Sequence, residues 1–120
     1  MKTNKKDFKL FKKEVRKWVE ILGLKGWKVV FEYIESEGNC AFYIRNSPGR
    51  IITISLSADY DDLLYTEKGI KLSAFHEVIE GLLLARFDDM IDRRKYSGEE
   101  IEEARHEVTR ILEHVLFPKY

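Results

Sequence analysis

The sequence predicts an α+β fold: an N-terminal helix, a small, mainly antiparallel sheet of three strands, and then helices to the end of the chain. Three observations carry the prediction. Apolar residues recur at three- and four-residue steps from Asp7 to Leu22; three segments between Trp27 and Ser57 alternate with a period of two; after Ser57 the helical period returns and stays.

In the first helix Phe8, Phe11, Val15, Trp18, Val19 and Leu22 form one face, with Gly23 as the stop. "WKVVFEYIE" alternates and is rich in β-branched and aromatic residues, as a strand requires. Gly38-Asn39 marks a turn before the strand "CAFYIR". "NSPG" supplies a second turn, with Pro48 fixing one dihedral and Gly49 free to take a positive one. "RIITISLS" follows, with Ile52, Ile54 and Leu56 on one face, and three strands joined by short turns imply an antiparallel meander or a hairpin plus a neighbour. "ADYDDLLY" reads as a short helix or an irregular crossing. "KGIKLSAFHEVIEGLLLARFDDMI" then carries a helical stripe of Leu72, Phe75, Val78, Ile79, Leu82 and Arg86. "DDMIDRRKY" reads as a solvated helix end and loop. The last helix opens on a Ser97-Gly98 cap followed by acids, and Pro118 ends it. Its apolar stripe is Ile101, Ala104, Val108, Ile111, Leu112 and Val115.

At 120 residues the chain suits one domain, expected over residues 1–120. Apolar residues at 44% and charged residues at 35% exclude a disordered chain, and a net charge of zero removes any whole-molecule attraction to nucleic acid or membrane. Residues 1–28 nevertheless hold ten Lys or Arg against three acids. Lys9, Lys12, Lys13 and Arg16 lie mostly off the apolar face and read as solvated rather than as a nucleic-acid footprint, because no aromatics interleave with them. Cys40 is the only cysteine, which excludes an internal disulfide and a Cys-based zinc site. Trp18 and Trp27 are expected in the core. No signal-peptide run and no membrane span is evident, so a complete cytoplasmic protein is expected.

The segment "SAFHEVIEGLLLARF" carries the chemistry. At about 100° per residue, His76 and Glu80 stand about 40° apart on one helix face, the spacing by which one helix offers two ligands to one metal ion. Glu77 points about 100° away from His76, where it can reach water rather than the ion. Leu83 and Phe87 continue the His76–Glu80 face, so a bare carboxylate there would be costly and a cation would relieve it. "HEVTR" at 106–110 repeats the His-Glu-Val start but sets Arg110 in place of the second ligand.

A strand region, a helix carrying "HEVIE" and a later helix carrying acids and His together resemble a minimal zincin metallopeptidase, and the small zincin-like proteins encoded in bacteriophages and prophages. "AFHEVIEGLLL" and "EEARHEVTRILE" carry the specific likeness within residues 27–117. The family's usual signature is His-Glu-x-x-His with a third ligand on a later helix; here Glu80 replaces the second His. The resemblance implies metal-dependent hydrolysis of peptide bonds, with His76 and Glu80 as ligands and Glu77 as the general base toward a zinc-bound water. For the third ligand, helical phase sets His106 almost opposite the apolar stripe, with Glu103, Glu107 and His114 nearer its margin. Similarity favours Glu103 and His106, which stand as joint candidates. One His with two carboxylates makes a harder site that suits manganese or iron as well as zinc. "RIITISLS" would be the sheet edge along which an extended peptide pairs.

Three other readings predict different partners. A catalytically inactive module on the same fold would bind a host protein. A structural role would pair Glu77 and Glu80 with Lys or Arg of the first helix. A nucleic-acid module would bind through Lys9, Lys12, Lys13 and Arg16 in a salt-dependent way.

Overall fold

A computed structural model describes residues 2–35, 38–46, 48–85, 87 and 97–120. Arg86 and the run at 88–96 lie outside the described residues. The elements are α1 (Lys5–Ile21), β1 (Lys28–Ile34), β2 (Ala41–Asn46), β3 (Ile51–Ser57), α2 (Glu67–Val78) running into a π-helical turn (Ile79–Leu83), and α3 (Gly98–Val115) with a 3-10 turn at Phe117–Lys119. The α+β class is as predicted, with helices gathered against one face of a three-stranded sheet.

Local chemistry sets the helix ends. Asn4 accepts from the Asp7 amide and Asp7 reaches back to the Asn4 amide, a reciprocal cap on α1. Gly23 takes φ 68° just past the end of α1, the left-handed conformation a non-glycine residue resists. Thr66 caps α2 through the Gly69 amide, and Ser97 caps α3 through the Glu100 amide. "ADYDDLLY" is not helical: Asp59 bridges back to Lys2, and a turn follows at Asp62–Leu64. In the β2–β3 turn the positive φ falls on Arg50 (54°) and not on Gly49, whose amide is held by the Asn46 side chain.

The strand order is that of a hairpin plus a neighbour and not of a meander. β3 lies in the middle, parallel to β1 (Val29 opposite Ile52) and antiparallel to β2 (Tyr43 opposite Ile54). Sequence neighbours β1 and β2 are therefore the two edges, and the sheet is mixed. This overturns the expectation that "RIITISLS" is a free edge, because both sides of β3 are already hydrogen-bonded.

Ile52, Ile54 and Leu56 are fully buried with Phe11, Val15, Trp18, Ile70, Ala74, Phe75, Val78 and Ile79. Trp18 meets Phe75 edge to face at 4.6 Å between ring centroids. Trp27 packs at the margin, with the Arg50 guanidinium over its ring. Lys9, Lys13 and Arg16 are exposed, and Arg16 and Lys12 lie over Phe31 and Phe8.

The helix carrying the candidate site is pressed hard onto the sheet at Gly81. A Cβ there would sit 2.7 Å from Ile52 Cδ1 and 3.2 Å from Tyr43 Cγ. Gly81→Ala is expected to destabilise the fold by about 1–3 kcal/mol through overpacking. Adding Ile52→Val, which removes the clashing methyl, should recover part of that loss. Urea denaturation of the two single variants and the pair measures the coupling, and simple additivity would show that the two sites do not touch.

Candidate functional site

Four polar residues from α2, its π-helical turn and α3 meet at one point. Glu80 is almost fully buried, and its carboxylate touches His76 Nε2 from one turn earlier. Glu80 Oε1 receives His106 Nε2 at 3.1 Å and lies 3.2 Å from Arg105 Nε. The Arg105 contact with Glu80 is an ion pair. His76 Nδ1 pairs with Glu113 Oε2 at 3.1 Å. The His76 and His106 rings are 6.3 Å apart between centroids.

The backbone beneath Glu80 explains the convergence. From Ile79 the α-helix widens into a π-helical turn, with the Leu84 amide bonded to the Ile79 carbonyl. Arg45 of β2 donates to the Gly81 carbonyl at 3.0 Å and reaches the Ala85 carbonyl at 3.5 Å, so the turn is held from the sheet. His76 and Glu80 keep their place on one face, while the widened turn lies against Tyr43 and Ile52.

The charges follow from these contacts. Both His76 ring nitrogens face carboxylates, which only accept, so both must carry protons. Burial lowers the His76 pKa, but the Glu113 and Glu80 bonds outweigh it and raise it to about 10. Burial pushes Glu80 up, yet His76, His106 and Arg105 together bring its pKa below the ordinary value. Glu77 differs. It is buried without such compensation, and desolvation lifts its carboxyl to about 7 against a lesser pull from His76.

Glu77, His76 and Glu113 line a cleft of about 250 Å³ with Cys40, Ala41, Leu64 and Ser73. A larger hollow, about 460 Å³, lies among Glu14, Lys17, Lys71 and Phe117 and holds none of the predicted site residues. Size therefore does not choose the site; the chemistry does. Tyr60 and Tyr65 are both engaged: Tyr60 hydroxyl bonds to Ser73 and to the Gly69 carbonyl, and Tyr65 donates to Asp7 of α1 at 2.6 Å.

The predicted residues sort clearly. His76, Glu80 and His106 come together, Glu77 stands in the adjoining cleft, and Glu103 is exposed on the outer side of α3. The helical-phase argument went astray because α3 buries only the Ile101 and Leu112 edge of its apolar stripe and leaves Ala104, Val108, Ile111 and Val115 exposed. Its buried residues are Ile101 and Thr109, with Arg105, His106, Leu112 and Glu113 on the same inward side. Glu80 takes its arginine from α3, contrary to the expectation of partners on the first helix. Sequence reasoning missed Glu113 and Arg105; the one available signal was their phase, at i+4 and i−4 from Thr109, which can be read only once the buried side of α3 is known. As the side chains stand, no three His, Cys, Asp or Glu among the described residues are disposed to hold a metal ion.

Fold and site together define the class: an α+β protein with a histidine–carboxylate cluster between two helices, set beside the edge of a mixed sheet. No protein-family model, curated protein or solved structure matches the chain. Among the described residues no helix is long and apolar enough to cross a membrane.

Proposed function

We propose that the chain is a metal-dependent, zincin-like peptidase in which His76, Glu80 and His106 hold a divalent cation, zinc or a harder ion such as manganese, and Glu77 is the general base. The observation that supports this is the convergence of two imidazole Nε2 atoms from separate helices on one buried carboxylate, beside a second carboxyl lifted to about 7. Two imidazoles and a carboxylate are a donor set that catalytic zinc sites use. Donors on a tetrahedral ion lie roughly 3.4 Å apart at ordinary bond lengths, and the 3.1 Å between His106 and Glu80 is close to that spacing. With His106 rather than Glu103 at the cluster, the set keeps two imidazoles although the second helical ligand is Glu80.

A bound cation would supply the Lewis-acid charge that polarises a carbonyl and eases loss of a proton from water. The chain's own groups do the rest. Glu77, with a pKa of about 7, can take a proton near neutral pH and return it to a leaving amine. Glu113 fixes the His76 ring by Nδ1 and so turns Nε2 toward Glu80. β2 offers the strand edge that β3 lacks. The Ser57 amide bonds to the Cys40 carbonyl, so the alternation turns the main-chain groups of Ala41, Tyr43 and Arg45 outward, and Ala41 lines the cleft. An extended peptide or protein segment pairing there would pass Glu77.

Metal content by mass spectrometry, on protein made without chelator or His-tag, tests the reading beside His76→Ala. Near-stoichiometric metal, lost in the variant, is the expected result. A chain that stays empty and refuses zinc, manganese and iron would leave the cluster as an ion-pair network joining α2 to α3, and the peptidase reading would fall.

A further inference from the structure

We propose that α3 is also a self-association surface, on which a second copy of this chain docks antiparallel about a two-fold axis. Ala104, Val108, Ile111 and Val115 follow one another at steps of four, three and four, the spacing of a coiled-coil seam. Ala104 is exposed, and Val108, Ile111 and Val115 remain 36%, 55% and 57% exposed. No described segment covers them. By helical phase this stripe is centred roughly 85° from the inward face that carries Ile101, Arg105, Thr109 and Leu112. α3 thus has one side for the body of the protein and a second apolar side left outside.

The charges choose the occupant and its direction. The first half of α3 carries Glu99, Glu100, Glu102 and Glu103 against Arg105; the second half carries Glu107 and Glu113 against Arg110 and His114, with Lys119 just beyond. A parallel copy would set the acidic halves together. An antiparallel copy stacks Ala104 on Val115 and Val108 on Ile111. It brings Glu107 of each chain to His114 of the other and aligns the helix dipoles favourably. His106 and Glu113 point to the other side, so the dimer leaves the cleft open and does not depend on metal or hydrolysis.

One helix pair falls short of the ~1,200 Å² typical of stable complexes, so association is expected at concentrations on the order of 10–100 μM. Sedimentation velocity from 5 μM to 1 mM, with circular dichroism to confirm folding, provides the test. Ile111→Lys, at a solvent-facing position, should abolish the dimer without unfolding the chain. Glu107→Lys should weaken it about tenfold, His114→Lys should tighten it, and Glu107→Lys with His114→Glu should restore it. A chain that stays monomeric at 1 mM would overturn the proposal. So would a dimer indifferent to Ile111→Lys, or a charge swap that fails to restore association; in those cases another segment or another protein covers the stripe.

Discussion

Glu77→Gln is expected to abolish peptide hydrolysis, by at least 100-fold in kcat/KM, and at the same time to make the metal-free protein more stable above neutral pH. The two effects share one cause. Glu77 is buried, and desolvation raises its pKa from 4.5 to about 7. Below pH 4.5 both folded and unfolded chains hold the proton and burial costs little. Between 4.5 and 7 the folded chain keeps a proton that the unfolded chain has lost, so stability falls as pH rises through that window. The full loss is about 3 kcal/mol for a shift of this size. Gln keeps the shape of the protonated acid and removes the titration. His76, raised to about 10, adds a further decline from about pH 6.5 to pH 10 that the variant retains. Urea denaturation of chelator-treated wild type and Glu77→Gln at pH 4.5, 6 and 8 should show curves that separate with pH and stay apart above about 7. Parallel curves would mean that Glu77 is solvated. Unchanged hydrolysis in the variant would remove it as the base.

His106→Ala is expected to weaken zinc binding by more than about 100-fold, while Glu103→Ala leaves it within about twofold. The first removes an imidazole in contact with Glu80; the second removes a carboxylate on the solvent side of α3. Outer partners of metal ligands alone are typically worth 10–100-fold, so losing a donor should exceed that, and Glu113→Gln should fall within it. Competition titration with a chromogenic chelator reads all three. Affinity should also drop as pH falls, since the cation must displace the proton from His76. Equal losses in His106→Ala and Glu103→Ala would show that α3 turns differently from the geometry described.

Much of the secondary structure could be read directly. The periods of α1, β1, β2 and β3, the caps at Ser97 and Gly23, and the pairing of His76 with Glu80 are local facts. A helix repeats every 3.6 residues and a strand every two, whatever lies around them. The core members Phe11, Val15, Trp18, Ile52, Ile54 and Leu56 followed from that alone. Strand order did not. β2 and β3 are joined by a short turn and do pair, but β1 reaches β3 across a longer separation, and nothing in the alternation says which neighbour a strand will choose. That choice moved the free edge from β3 to β2.

α3 shows the same division more sharply. Its most apolar stripe reads as the buried one, because burial of apolar area is the dominant drive in folding. Here the inward side carries Arg105, His106, Thr109 and Glu113 beside Ile101 and Leu112 of that stripe, and polar groups can be turned inward only where partners wait for them. Glu80 and His76 are those partners, and they sit on another helix about 30 residues earlier. The sequence by itself determined the fold class, the helix periods and the candidate trio His76, Glu77 and Glu80. Only the tertiary structure decided that His106, Arg105 and Glu113 join them and that Glu103 does not. Local periodicity is a property of one segment, whereas the charge balance of a buried cluster exists only when two segments meet.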